Sequence, residues 1–483
     1  MTVARTRTKI VATLGPAGNT QPILERFIDA GVDVFRLNMS HGTQAEHTKT
    51  LAAARAAAQT KKEHIAVIAD LCGPKIRIGT IDERNDRIDV GDTCLIVRRE
   101  IDGDATRFCT NYPEVVTDVQ IGQRVLIDDG SIRLLVSEKT DEHLVCTCMT
   151  GGRLATRKGV NLPESDLSLP SLTDKDRSDI TWAIEHEVDF VAVSFVRRPY
   201  DIDQVRALLD DGGSDIPIIA KIETPQAVAA IDAIIDTSNG ILVARGDLGV
   251  EMDVSRIPLL QKDIVRRCGR VGKPVIVATQ MLHSMVESPM PTRAEVSDVA
   301  NAVLDGTDAV MLSAESAVGR FPIEAIAMMN RIADDAYEYE AGLMRRPRTL
   351  LSETIRVGEA VDPTRSSVAR IAALAAQDLD ARLLAVWCRS GTTARWISKY
   401  RIDAPIVGLS GREATCRRLV LSYGIEAMLV SEGNMHGDAP WRDVETLLVR
   451  RFDLEPGDII IVVGDPEGTG REATLRIEPV SGT

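Results

Sequence analysis

Lys221 and Glu223 stand two residues apart, and Asp247 follows Arg245-Gly246 at the end of the next β-branched run. Positions two apart on a strand share a side, so Lys221 and Glu223 face one way. Glu223 and Asp247, delivered by adjacent strands, offer oxygen ligands to one Mg²⁺. Such an ion commonly keeps waters and takes its remaining ligands from an anionic substrate. Lys221 beside them would place a compact positive charge on a transferring phosphoryl group or a developing enolate. Gly246 lets the N–H groups of Gly246 and Asp247 approach a carboxylate. Two further strands end in Thr279-Gln280 and in Arg36-Leu37-Asn38-Met39-Ser40-His41. Singly, a Lys-x-Glu is usually a solvated pair and a Gly-Asp a turn. Four such ends on one rim point to Mg²⁺-assisted work on a small anionic oxoacid or phosphate.

The elements that must position these residues recur along the chain as β-branched runs ending in polar residues, each followed by a helical stretch. They are Lys9–Leu14, Val34–Ser40, Ile65–Leu71, Phe190–Val196, Ile218–Glu223, Ile241–Asp247, Val275–Gln280 and Ala309–Glu315. Apolar runs of this kind suit buried parallel strands, and eight of them predict a (β/α)₈ TIM barrel with its site at the strand ends. An open doubly wound sheet is the alternative. Between the third and fourth runs, residues 75–169 carry short strands at Val90–Val97, Arg124–Ile127, Ile132–Val136 and His143–Met149. Gly91-Asp92, Asp128-Asp129-Gly130 and Asp141-Glu142 mark turns there, predicting an inserted small β-barrel lid domain. The catalytic barrel then takes 1–74 and 170–345. Tyr337–Asp362 reads as charged helix broken at Pro347. Residues 355–483 read as a C-terminal open α/β domain, with a helix at Ser366–Asp378 and strands at Leu383–Trp387, Pro405–Leu409, Ala427–Val430 and Asp458–Val463, closing on Thr474–Val480.

Aromatic residues are only 4% of the chain, so the core must be built from Val, Ile, Leu and Ala. A net charge of −14 gives no general attraction to nucleic acid or to a membrane. No apolar run approaches a membrane span, and the basic Met1–Lys9 lacks the apolar stretch of a signal peptide. The eight Cys are scattered; Cys146-x-Cys148 suits same-face strand positions better than a zinc knuckle, and the expectation is a reduced, cytoplasmic protein.

Thr8-Lys9-Ile10-Val11-Ala12-Thr13-Leu14-Gly15-Pro16 and Arg36-Leu37-Asn38-Met39-Ser40-His41-Gly42 resemble the opening strands of the pyruvate kinase family. Lys158-Gly159-Val160-Asn161-Leu162-Pro163, Asp247-Leu248-Gly249-Val250-Glu251, Ala278-Thr279-Gln280-Met281-Leu282 and Pro291-Thr292-Arg293-Ala294-Glu295 follow in family order. So do Asp298-Val299-Ala300-Asn301-Ala302-Val303 and Asp305-Gly306-Thr307-Asp308-Ala309-Val310-Met311, and the likeness weakens after the barrel. The resemblance implies transfer of the phosphoryl group of phosphoenolpyruvate to ADP, giving pyruvate and ATP in glycolysis. It implies that Arg36 binds the phosphoryl group and Lys221 stabilises the transition state. Glu223 and Asp247 would hold Mg²⁺, and Gly246, Asp247 and Thr279 would contact the carboxylate. Water near Thr279 would supply the proton. Asn38, Met39, Ser40, His41, Arg77 and Lys158 would bind the nucleotide, with which a second Mg²⁺ arrives. A homotetramer is implied by resemblance alone.

Three departures from the family pattern stand out. Asp70-Leu71-Cys72-Gly73-Pro74-Lys75-Ile76-Arg77 carries Lys75 where most members have a Glu. In those members a K⁺ site involves the positions of Asn38, Ser40, Asp70 and the Leu71 carbonyl. An ammonium there would repel a cation and could supply its charge, so the expectation is that K⁺ is not required. Ser313-Ala314-Glu315-Ser316 replaces Ser-Gly-Glu-Thr, which predicts adjusted packing. Cys72 replaces a Lys and is either a packing residue or a reactive thiol. In the C-terminal part, Ser390-Gly391-Thr392-Thr393 opens a helix and could cradle a sugar-phosphate or nucleotide effector, or simply cap that helix. The rival readings are a Mg²⁺-dependent lyase or aldolase acting on pyruvate-like oxoacids and a non-catalytic regulatory paralogue.

Overall fold

The computed structural model describes residues 6–344, 363–430, 438–464 and 474–481. Eight parallel strands close a barrel in chain order: Lys9–Leu14, Val34–Asn38, Ala66–Asp70, Phe190–Val193, Ile218–Ile222, Gly240–Ala244, Val275–Ala278 and Ala309–Leu312. Along these strands Ile10, Phe35, Val67 and Val191 belong to the core shared with the surrounding helices. The alternate set Val11, Val34, Ile68, Ala192, Ile219 and Leu242 fills the interior. Carried two residues further, this inward series reaches Thr13, Arg36, Asp70, Ser194 and Lys221. The apolar filling therefore aims a ring of polar side chains at the mouth formed by the strand ends.

All eight expected strands are present, and most stop short of their expected polar ends. Ile241–Asp247 is replaced by a strand to Ala244 followed by the helix Arg245–Glu251, so Asp247 sits in a first helical turn instead of on a strand. Val275–Gln280 stops at Ala278, because Thr279 and Gln280 take left-handed φ values of 68° and 55°. The polar ends leave the ladder because their N–H groups turn to side chains. Phe195 N–H donates to Glu223, Gly246 N–H to Thr279 and Ser313 N–H to Glu315.

The insert is a six-stranded sheet in the order Val160–Asn161, Arg124–Ile127, Ile132–Lys139, His143–Thr150, Thr93–Val97, Arg107–Cys109. Isolated bridges Arg77–Gly159 and Ile78–Thr110 join its two edges, which curls the sheet into a small barrel around its own core. Asp128, Asp129 and Gly130 all have positive φ, making the turn expected there. Cys146 and Cys148 are buried free thiols of that core. Of the expected helix Tyr337–Asp362, the part to Met344 ends the helix Pro322–Met344; residues 345–362, with Pro347, lie outside the described residues.

The last part is a five-stranded sheet ordered Ile425–Leu429, Ile406–Ser410, Leu383–Trp387, Ile459–Val463, Leu475–Pro479, with the final strand antiparallel. Its helix Pro363–Asp378 matches the expected one. Val420 and Leu421 from this part join the barrel's interior cluster, at the end away from the mouth. Two buried ion pairs flank them: Lys399 with Asp308, and Arg417 Nε with Asp189 Oδ1 at 2.7 Å.

Candidate active site

Asp70 anchors the mouth of the barrel. Its carboxylate accepts Arg36 Nε at 2.6 Å and lies 3.3 Å from Lys221 Nζ. Lys221 Nζ also reaches Glu223 Oε1 at 2.8 Å and donates to Ser194 Oγ at 2.7 Å. Burial opposes charge on Lys221, but the Asp70 and Glu223 carboxylates outweigh it and hold its pKa above the ordinary lysine value. Burial likewise works against the Asp70 carboxylate, and Arg36 and Lys221 outweigh it, keeping that carboxyl below its ordinary value. The result is a fixed cationic pair, Arg36 and Lys221, both in contact with the Asp70 carboxylate.

Arg36 is steadied from a second side by Thr13, whose Oγ1 accepts its Nη1 at 3.0 Å and donates to Leu312 O. Ser316 Oγ donates to Thr13 O at 2.9 Å, so the serine that stands for the family's Thr retains a structural hydrogen bond. Ser194 links the Lys221 ammonium to the Leu71 carbonyl at 2.8 Å. Sequence reasoning passed over Thr13 and Ser194, although each sits two residues beyond an inward apolar position.

Across the mouth, Thr279 Oγ1 accepts the Gly246 N–H at 2.6 Å. Arg245 ties this corner together, donating to Asp298 Oδ1 at 2.7 Å and to Thr279 O at 3.0 Å. Burial, then the nearby Glu223 carboxylate, push the Asp247 carboxyl up to about 6; Lys221 and Lys75 pull the other way. A buried and a half-buried carboxylate that repel one another invite a cation between them, and hard oxygen donors fit Mg²⁺. Among the described residues no three His, Cys, Asp or Glu side chains gather to hold a metal unaided, so such an ion would complete its shell from substrate and water. Glu251, at the other end of the same helix, is pushed up to about 7 by burial, against a hydrogen bond from Asn161.

The nucleotide-side residues are less uniform. Asn38 Oδ1 accepts the Ser40 N–H, and Ser40 and His41 are exposed. Met39 is turned into the barrel core, its N–H donating to Asp70 O and its carbonyl accepting Lys175. Met39 thus supports this corner from below and has no side-chain atom at the surface. On the insert, Lys158 Nζ pairs with Asp128 Oδ1 at 2.8 Å, and Arg77 donates to the Arg157 carbonyl at 3.0 Å. Lys75 is exposed, with its aliphatic stem beside Gly159. In the last sheet, Arg395 donates to Ser390 O and Thr392 Oγ1, wrapping the Ser390–Thr393 loop from inside.

A closed parallel barrel with a cationic pair and a carboxylate pair at its mouth, and an inserted sheet beside it, offers the positioning and charge neutralisation that phosphoryl transfer needs. Residues 5–326 match the family description "Pyruvate kinase, barrel domain", and residues 366–478 match "Pyruvate kinase, alpha/beta domain". The chain is 41% identical over 466 residues to a pyruvate kinase of Methylorubrum extorquens, covering 96% of this chain and 95% of that one. It is 39% identical over 478 residues to one of Clostridium acetobutylicum, covering 98% and 99%. A crystal structure of a pyruvate kinase from Cryptosporidium parvum superposes with a TM-score of 0.91 at 34% identity, covering 99% and 96%. The chain belongs to the pyruvate kinase family and is a phosphotransferase.

Proposed function

We propose that this chain transfers the phosphoryl group of phosphoenolpyruvate to ADP, forming pyruvate and ATP, with Mg²⁺ and without a requirement for K⁺. The observation that carries the reading is the Arg36–Asp70–Lys221–Glu223 chain of contacts, which holds two cations side by side in a buried mouth. Arg36 grips the phosphoryl group, and Lys221 meets the charge that collects on it and on the enol oxygen. Thr279 and the N–H groups of Gly246 and Asp247 receive the substrate carboxylate, which competes with Thr279 for the Gly246 N–H. Mg²⁺ held by Glu223 and Asp247 supplies charge neutralisation when bound, and a second ion accompanies the nucleotide. Arg77, Lys158 and the Asn38–His41 turn lie on the ADP side. Residues 75–169 act as the lid, 1–74 with 170–345 as the catalytic barrel, and 355–483 as the regulatory part, where the Ser390–Thr393 loop receives an anionic effector. Assembly as a homotetramer and a cytoplasmic location follow family habit.

K⁺ independence draws support from the atoms that would otherwise hold the ion. Asp70 already accepts two cationic side chains, and the Leu71 carbonyl accepts Ser194. Lys75 adds positive charge near Asp247. The test is phosphoenolpyruvate-dependent ATP formation from ADP and Mg²⁺ in K⁺-free buffer and with KCl at constant ionic strength. Equal rates are expected. Activity only with KCl would remove the cation-free reading and leave the reaction, whereas no ATP in either buffer would remove both.

A further inference from the structure

The helix Arg245–Glu251 carries Gly246 and Asp247 in its first turn, and its last turn meets the lid. Asn161 Nδ2 donates to Glu251 Oε1 at 2.9 Å. One residue earlier, Val250 Cγ1 would stand 3.6 Å from a Cβ built on Gly130, so the Asp128–Gly130 turn lies against the same helical turn. These two lid features belong to paired strands: Val160–Asn161 pairs with Arg124–Ile127, which leads into that turn. They also carry the lid's charged groups, since Lys158 lies three residues before Asn161 and pairs with Asp128. A single short helix thus has the substrate-carboxylate donors at one end and the lid's docking point at the other.

We propose that Asn161 and Glu251 form the latch of the closed lid, and that both are positioning residues setting the Lys158 side against the Gly246–Asp247 turn. The proposal rests on the phosphoryl-transfer reading of the site. Glu251 lines a cleft with Lys75, Ile76, Asn161, Leu162 and Phe195, where its carboxyl is partly buried among other acids. Arg197 holds the returning arm of the lid through the Leu167 and Leu169 carbonyls, at 2.8 and 2.6 Å. The arm is thereby pinned near its root, and the Asn161–Glu251 bond lies farther out, where opening would break it.

The test uses the full chain as Asn161→Ala, Glu251→Ala, Glu251→Gln and the double alanine variant, with kcat and KM for each substrate at saturating Mg²⁺. Loss of the latch lowers the population of the closed state, so each single alanine variant should lose about tenfold in kcat and raise KM for ADP. KM for phosphoenolpyruvate should stay within about twofold, since its donors lie at the other end of the helix. The double variant should be no worse than either single one, because the two act on one bond. Glu251→Gln, whose amide oxygen accepts the same N–H, should retain the wild-type kcat. Additive losses, or a raised KM for phosphoenolpyruvate with kcat intact, would overturn the latch and leave only local support of the helix. Wild-type rates in every variant would also overturn it. If Glu251→Ala fails to fold, Asn161→Ala with Glu251→Gln decides alone. Absence of ATP formation by the unaltered chain would instead strike the phosphoryl-transfer reading.

Discussion

Thr13, Arg36, Asp70, Ser194 and Lys221 each stand two residues beyond an apolar side chain that fills the barrel. That is why so much of the site was legible: Lys221, Glu223 and Arg36 end runs whose period is plain. Ser194 and Thr13 were not legible, because a lone hydroxyl at a strand end carries no signal until its partners are known. Glu251 escaped for another reason: its chemistry depends on burial beneath an insert that begins far away in sequence. It also leads to a pH prediction. In the folded chain its carboxyl keeps a proton up to about 7, whereas an exposed glutamate releases it near the ordinary value of 4.5. Between these pH values the unfolded chain binds fewer protons, so stability falls as pH rises, and the full penalty stands above pH 7. Glu251→Gln has no such titration. In chelator-containing buffer its melting temperature should match the wild type near pH 4.5, exceed it increasingly up to about pH 7 and by a constant margin above. Parallel curves would refute the raised carboxyl.

At the scale of elements, periodicity found the eight barrel strands and residue type the turn at Asp128–Gly130, but neither could see where the ladders stop. Thr279 and Gln280 look like strand residues by type, yet their left-handed φ values end the seventh strand two residues early. Arg245 to Glu251 is likewise read as strand end and turn, whereas it is a helix whose first residue is tied to Asp298 and Thr279. The junction between that helix and the seventh strand is tight. A Cβ at Gly246 would lie 3.2 Å from Thr279 Oγ1 and 3.4 Å from Thr279 Cβ. Gly246→Ala should therefore push the two substrate-facing corners apart and raise KM for phosphoenolpyruvate about tenfold or more, with the melting temperature nearly unchanged. An unaltered KM would mean that Thr279 yields without consequence.

At the scale of the whole molecule, the barrel is met at both ends: the inserted sheet bonds to the helix Arg245–Glu251 beside the mouth, and Val420 and Leu421 close the opposite end. The second closure was invisible in sequence, since nothing in the motif around Leu421 says which sheet it serves. Lys399 and Asp308 fasten it, with side chains 6% and 1% exposed. Removing one partner of such a pair leaves an unmatched buried charge, at a cost of about 3 kcal/mol. Lys399→Met should lower the urea midpoint accordingly, and Asp308→Asn in the same chain should recover part of the loss. An unchanged midpoint in Lys399→Met would show the pair to be solvated. The inserted sheet differs from this lower closure in being spliced into the chain, so it is tethered through two arms rather than one. Closure, as proposed, would consequently be an intramolecular event at a fixed, high effective concentration, independent of how dilute the enzyme is. Two tethers would also restrict the arc through which it could swing, so under the proposed latch a weak bond at its far edge would suffice to choose between open and shut, and a ligand would need to contribute only a little to tip it.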